Sequence, residues 1–168
     1  PSVTKIKPGD HVVLSWMCGK GIEAGGTSYG WRNKTVSAGG VTTFIEKAVI
    51  SENRITPIPN NFSLKVAALM GCAGLTGVGM VKRVAKVSAG RTVCIIGLGG
   101  VGLCALAASI ALKAEKVIAV DRHTHKLQRA VDFGAHHAIS TKEVNLTQYV
   151  MDITMGEGAD YVFETAGT

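Results

Sequence analysis

The fold is decided by residues 92–102, which read TVCIIGLGGVG. An apolar run typical of a buried strand leads directly into a G-x-G-x-x-G pattern, and an apolar stretch of helical length, Val101 to Ala114, follows. In this spacing Gly97 makes a tight turn, Gly99 lets the backbone approach a pyrophosphate, and Gly102 lets the helix and strand pack closely. The free N–H groups at the start of the helix favour phosphate. The stretch therefore predicts a dinucleotide-binding turn.

An acidic residue follows at the distance that such a turn requires. Asp121 closes the next apolar strand, 117–120, nineteen residues beyond Gly102. A carboxylate there can accept hydrogen bonds from an adenosine ribose and repels a 2′-phosphate, which favours NAD over NADP. Arg122 weakens that preference, because a guanidinium can pair with the phosphate. Two competing interpretations remain: a methyltransferase that binds S-adenosylmethionine, and a glycine-rich turn beside an exposed Asp with no ligand.

The surrounding sequence alternates between strands and helices. The apolar patterns predict strands at 92–96, 117–120, 138–139 and 161–163, and helices at 101–114, 125–133 and 144–155. Two further helices are predicted at 64–70 and 75–87. Strictly alternating elements with buried apolar strands are typical of an α/β fold with a doubly wound, Rossmann-type parallel sheet.

The residues before this region read as β structure with turns. The patterns predict a strand at 11–14, an irregular glycine-rich segment at 18–40 and β-type sequence at 41–50. Pro57 and Pro59, followed by two asparagines, mark a boundary. The sequence therefore predicts two domains, residues 1–60 and 61–168.

Composition excludes several other classes of protein. Of the 168 residues, 46% are hydrophobic and 18% charged, which is globular rather than disordered. The net charge of +6 comes from scattered basic residues, so nucleic-acid binding is not predicted. The longest apolar stretch, 93–112, is broken by glycines, so no membrane span is predicted. None of the four cysteines forms a C-x-x-C pair, which indicates a reducing, cytoplasmic setting.

Three motifs carry a family resemblance. They read KPGDHVV at 7–13, GCAGLTG at 71–77 and IGLGGVG at 96–102, and Phe133-Gly134-Ala135 continues the pattern. Their order and approximate spacing resemble zinc-dependent medium-chain alcohol dehydrogenases along nearly the whole chain. The resemblance implies a partial β-rich GroES-like catalytic domain over 1–60 and a partial NAD-binding Rossmann domain over 61–168.

The resemblance also implies a reaction. It is hydride transfer between a nicotinamide cofactor and a small alcohol, aldehyde or ketone substrate, with zinc as Lewis acid, in an intact parent protein that forms a homo-oligomer. Cys72 corresponds to a catalytic zinc ligand, Thr76 to a residue near the nicotinamide ring, and Val101 to a side chain supporting that ring. The remaining positions are Gly97, Gly99, Gly100 and Gly102 for the pyrophosphate, and Asp121 and Lys126 for the adenosine ribose.

The chain also departs from the family pattern. The family's other catalytic zinc ligands, a Cys and a His-Glu pair, have no counterpart here, and only Cys18 stands where a structural zinc lobe needs four cysteines. From the residues alone, Cys72 is more often a buried structural thiol than a metal ligand. One ligand cannot hold a catalytic zinc, so the chain by itself is expected to be inactive. A zinc-free quinone or enoyl reductase of the same superfamily and a non-catalytic nucleotide-binding module stay as alternatives.

Overall fold

A computed structural model describes residues 3–142 and 144–167. The chain divides into two compact units, Pro1–Cys72 and Ala73–Thr168. The sequence placed a domain boundary at residue 60, and that assignment stays a prediction.

The first unit contains two small antiparallel pairs of strands. The strands are β1 (His11–Leu14), β2 (Thr27–Trp31), β3 (Lys34–Gly39) and β4 (Ile55–Ile58). β1 pairs with β4, with His11 opposite Ile58. β2 and β3 form a hairpin in which Trp31 lies opposite Lys34, so the connecting loop has only two residues. A short 3₁₀ turn, Glu52–Arg54, precedes β4.

Two local predictions for this unit are wrong. The hairpin lies inside the segment 18–40 that was predicted to be irregular, and 41–50 forms no strand. Near the end of 41–50, side chains of β2 bind the backbone of Val49, whose N–H and C=O groups are therefore paired with hydroxyl groups and not with a neighbouring strand. The Tyr29 hydroxyl accepts a bond from Val49 N (2.9 Å), and the Thr27 hydroxyl donates to Val49 O (2.9 Å).

A carboxylate organises the loops of the first unit. Glu23 accepts hydrogen bonds from the Asn53 amide (3.0 Å) and the Ser51 hydroxyl (3.0 Å), and pairs with the Arg54 guanidinium (3.2 Å). Led by the Asn53 bond, these contacts lower the pKa of Glu23 from 4.5 to about 2. The loops are therefore tied to the turn before β4 by an ionised side chain.

The second unit contains four parallel strands flanked by helices. The strands are β5 (Thr92–Ile96), β6 (Lys116–Asp121), β7 (His137–Ser140) and β8 (Tyr161–Glu164), in the spatial order β7-β6-β5-β8. Three helices alternate with them: Gly100–Ala111, Thr124–Asp132 and Leu146–Ile153. The doubly wound, Rossmann-type parallel sheet predicted from the sequence is confirmed.

Helical turns also connect the two units in sequence. They are α1 (Leu64–Leu69), a π-helical turn (Met70–Gly74), α2 (Leu75–Gly79) and a second π-helical turn (Met80–Val84), so the three longer helices above are α3, α4 and α5. By length and composition alone, the segment Leu64–Val84 could cross a membrane, although core helices of soluble proteins meet the same criterion. The absence of a membrane partner therefore stays a prediction.

Alternate residues of the central strand fill the two faces of the sheet. Val93 and Ile95 are fully buried in one cluster together with Leu106 of α3. Cys94 lies in a second cluster with Ile118 of β6. Side chains of α4 join the first cluster and side chains of α5 join the second. Helices thus cover both faces, which leaves the carboxyl ends of the strands as the accessible edge.

Candidate functional site

A cleft of about 310 Å³ opens where the parallel strands end. From β5 the chain proceeds to β6 on one side, and β8 pairs on the other side, so the strand order reverses at this point. Open α/β sheets bind ligands at such a reversal. The lining residues come from the glycine loop, the end of β6, the start of α4 and the residues after β8: Ile96, Gly97, Leu98, Gly99, Val120, Asp121, Arg122, His123, Lys126, Thr141, Thr165 and Ala166.

Two of the loop glycines are required by close contacts. Gly97 has φ +91° and donates to Val120 O (2.8 Å), and a Cβ on it would lie 2.5 Å from Ala166 N. A Cβ on Gly102 would lie 1.9 Å from Gly97 O. No larger side chain fits at either position without moving the backbone. The predicted roles of these glycines in the turn and in helix–strand packing agree with these contacts.

Gly99 differs, because a Cβ on it would meet no atom within 4 Å. Gly99 is the residue before α3, and its carbonyl oxygen already accepts from Leu103 N (2.9 Å). The open space therefore lies beside the first N–H groups of a twelve-residue helix. A pyrophosphate needs both features, namely room next to the backbone and N–H donors at a helix start. The loop fits that ligand group.

Asp121 is the buried charge of the cleft. Its side chain is 6% exposed, and its Oδ2 accepts from Leu98 N (2.9 Å) and lies 3.5 Å from Lys126 Nζ. Its Oδ1 accepts from His123 N (3.0 Å) and His123 Nδ1 (2.9 Å). Burial opposes ionisation, but the bonds from Leu98 and His123, with the Lys126 charge, outweigh it and hold the pKa of Asp121 well below its usual range. The carboxylate is therefore ionised.

Thr165 connects the end of β8 to the glycine loop. Its hydroxyl donates to Gly97 O (2.6 Å), and its backbone N–H donates to Ile96 O (2.8 Å). The carbonyl groups of Ile96 and Gly97 thus find donors at the place where the pairing of β5 with β8 ends. The sequence does not reveal this role of Thr165, because Thr165 and Gly97 lie 68 positions apart in the chain.

The residues predicted for the cleft are only partly brought together. Gly97, Gly99, Asp121 and Lys126 line it. Gly100, Val101 and Gly102 occupy the first turn of α3 and do not line it, nor does Thr76, which is exposed on α2. His123 does line it and binds Asp121 directly, a role that the sequence did not distinguish from a surface position.

The cysteine assigned to zinc gives a weaker fit. Cys72 has an exposed, free thiol, which removes the interpretation of it as a buried structural residue. Among residues 3–142 and 144–167, no three His, Cys, Asp or Glu side chains lie close enough together to hold a metal. A zinc site containing Cys72 would need ligands from outside these ranges, and the ligand role of Cys72 stays a prediction.

Comparison with known proteins finds one matching family model and several similar proteins. Residues 100–168 match the model of the zinc-binding dehydrogenase family. The chain is 34% identical to a probable S-(hydroxymethyl)glutathione dehydrogenase 1 of Schizosaccharomyces pombe, a match covering 98% of this chain and 50% of that protein. It is 31% identical to the NDMA-dependent alcohol dehydrogenase of Amycolatopsis methanolica, over 100% of this chain and 52% of the relative. The chain thus spans about half the length of the curated relatives it matches.

Solved structures agree with these matches. Benzyl alcohol dehydrogenase from Acinetobacter calcoaceticus superimposes with a TM-score of 0.80 at 25% identity, over 100% of this chain and 52% of that one. An alcohol dehydrogenase zinc-binding domain protein from Burkholderia ambifaria gives a TM-score of 0.68 at 34% identity, over 71% of this chain and 32% of that one.

Proposed function

We propose that the whole protein is an NAD-dependent alcohol dehydrogenase, because residues 100–168 match the model of the zinc-binding dehydrogenase family. It would transfer a hydride between a nicotinamide cofactor and a small alcohol, aldehyde or ketone. The relatives support the oxidoreductase class, since their names describe alcohol and S-(hydroxymethyl)glutathione dehydrogenases.

One observation carries the choice of cofactor. The ionised carboxylate of Asp121 lies at the end of β6 and is bonded to Leu98 N of the glycine loop, in a cleft where Gly99 leaves the backbone open. A dinucleotide needs this combination, because its ribose hydroxyls donate to a carboxylate while its phosphates approach a helix start. The same carboxylate repels a 2′-phosphate, which favours NAD.

The chain's own residues bind and orient the cofactor. Asp121 accepts from the adenosine ribose, Lys126 donates to it, and the first N–H groups of α3 bind the phosphates. When bound, the nicotinamide ring supplies the acceptor for a hydride leaving an alcohol carbon, or the donor for a hydride entering a carbonyl carbon. By resemblance to the family, Thr76 and Val101 would lie near that ring.

Zinc would act only in the whole protein, where Cys72 would contribute one thiolate ligand. A single thiolate does not make a catalytic zinc site, so this chain alone is expected to show no alcohol oxidation. We further propose that the whole protein is cytoplasmic and forms a homo-oligomer.

Titration with nucleotides tests the proposed function. NADH fluorescence should change on addition of the chain, ADP should reverse the change by competition, and S-adenosylmethionine should not. Asp121→Asn should weaken NADH binding by about tenfold or more, because hydrogen bonds to a charged acceptor are lost. The matched control is Asp132→Asn, which removes an exposed carboxylate from the end of α4. Binding of S-adenosylmethionine without binding of NADH would overturn the proposal.

A further inference from the structure

The imidazole of His123 occupies an oxygen of Asp121 that a nucleotide also needs. Oδ1 of Asp121 accepts from both His123 N (3.0 Å) and His123 Nδ1 (2.9 Å). We propose that the side chain of His123 competes with the adenosine ribose for Asp121 and so weakens nucleotide binding at this site. This inference rests on the proposed function and concerns the nucleotide affinity of the same cleft.

The carboxylate has few acceptor positions to spare. An ionised carboxylate offers about four lone-pair positions. Three are taken by hydrogen bonds from the backbone N–H groups of Leu98 and His123 and from the His123 ring, and the Lys126 ammonium lies 3.5 Å away. Asp121 lines the cleft, but its side chain is only 6% exposed, so little oxygen surface faces a ligand. An adenosine ribose carries two hydroxyls, and both can bond to Asp121 only if one of these donors is displaced.

The backbone donors are fixed by the fold, which leaves the two side chains. Lys126 Nζ lies 3.5 Å from Oδ2, a long contact, and an ammonium carries three hydrogens. Lys126 can thus remain near Asp121 while donating to a ribose oxygen. His123 has one hydrogen on Nδ1 and uses it in a bond of full strength at 2.9 Å. The displaced donor is therefore His123.

The bond has a defined direction. The pKa of Asp121 lies well below its usual range, so the carboxylate is ionised and can only accept. Nδ1 of His123 must carry the hydrogen. The His123 side chain is 42% exposed, which gives the ring room to rotate away when a ribose arrives. The ring can therefore leave Asp121, and the free energy lost with the bond between Nδ1 and Oδ1 lowers the affinity for the nucleotide.

Two variants of His123 separate its ring from its hydrogen-bond donor. His123→Ala removes the donor, whereas His123→Asn keeps an N–H at nearly the place of Nδ1, because the amide and the ring share the geometry of their first atoms. His125→Ala is the matched control: its ring centroid lies 5.7 Å from that of His123, it is exposed, and it does not line the cleft. All three chains should keep wild-type circular dichroism.

Calorimetric titration with ADP and with 2′,3′-dideoxyADP isolates the ribose hydroxyls. His123→Ala should bind ADP about threefold to tenfold more tightly than the wild type, the range of one net hydrogen bond. Its affinity for dideoxyADP should not change, because that nucleotide does not compete for Asp121. His123→Asn and His125→Ala should match the wild type with both nucleotides.

Three results would overturn the inference. If His123→Ala binds ADP no more tightly than the wild type, there is no competition. If the gain appears equally with dideoxyADP, or is also seen in His123→Asn, His123 acts through charge or bulk and not through Asp121. If the wild type binds neither ADP nor NADH, the proposed function and this inference are both overturned. If the wild type binds ADP and His123→Ala binds it with the same affinity, the inference alone is overturned and the proposed function stands.

Discussion

Substitution of Gly102 by Ala tests how tightly the glycine loop is packed. The new Cβ would lie 1.9 Å from Gly97 O and 2.8 Å from the Thr165 hydroxyl, whereas ordinary contacts begin at 3.4 Å. Helix α3 and the loop must therefore separate by about 1.5 Å. Overpacking of this kind costs about 1–3 kcal/mol and the strained Thr165 bond about 1 kcal/mol more, while the better helix propensity of Ala returns about 1 kcal/mol. The free energy of unfolding should fall by about 2 kcal/mol.

Urea unfolding followed by circular dichroism measures this loss, and thermal unfolding should show Tm lower by about 4–8 °C. Two glycines serve as matched controls. Gly79→Ala places its Cβ in open space within a helical segment and should raise stability by up to about 1 kcal/mol. Gly99→Ala also has open space, with φ −80°, and should leave stability within about 0.5 kcal/mol.

Gly99→Ala should nonetheless bind NADH at least about tenfold more weakly, because its methyl group takes the space that the pyrophosphate needs. The two substitutions thus separate stability from binding. A Gly102→Ala chain as stable as the wild type would refute the packing argument. A Gly99→Ala chain with wild-type NADH affinity would refute the placement of the phosphates.

Three further predictions concern acid stability, thiol reactivity and core packing. The pKa of Glu23 is lowered from 4.5 to about 2, so its stabilising contribution is complete above about pH 4.5 and is lost as the pH falls towards 2; urea unfolding across that range should show a smaller acid loss in Glu23→Gln. The exposed thiols of Cys18 and Cys72 should react with DTNB in the native chain, whereas Cys94, whose pKa burial raises to about 11, should react only in denaturant. Leu106 is fully buried, so Leu106→Ala should lower the unfolding free energy by about 2–5 kcal/mol in urea; a loss under 1 kcal/mol would contradict its place in the core.

The sequence predicted the second unit well because its signals are strong and local. The predicted strand at 92–96 coincides with β5, and helix α3 was predicted to within a few residues. Buried parallel strands are continuously apolar, and Gly97 and Gly102 are required because a Cβ at either position would overlap neighbouring backbone atoms. A pattern that depends on such sterics is visible in the residue types alone.

The hairpin in the first unit lacked such a signal. Its two-residue loop is Arg32-Asn33, with Arg32 at φ +53° where glycine is usual, so no turn motif marked it.

The side chain of His123 shows a different limit of prediction from sequence. Its position two residues beyond Asp121 is visible in the sequence, but whether its ring turns to the carboxylate or to solvent depends on a side-chain rotation that residue order does not encode. Contacts between distant residues, such as Thr165 with Gly97, were equally out of reach.

The bond between Thr165 and Gly97 also sets an order of events during synthesis. The two residues are 68 positions apart in the chain. At the usual 5–20 residues per second, a ribosome adds Thr165 about 3–14 seconds after Gly97. During that interval the loop carbonyl lacks its hydroxyl partner, and the space beside Gly97 that the backbone of Ala166 later fills stands open. Nascent chains halted before Thr165 should therefore bind nucleotide poorly, and affinity should rise once Thr165 and Ala166 have left the exit tunnel.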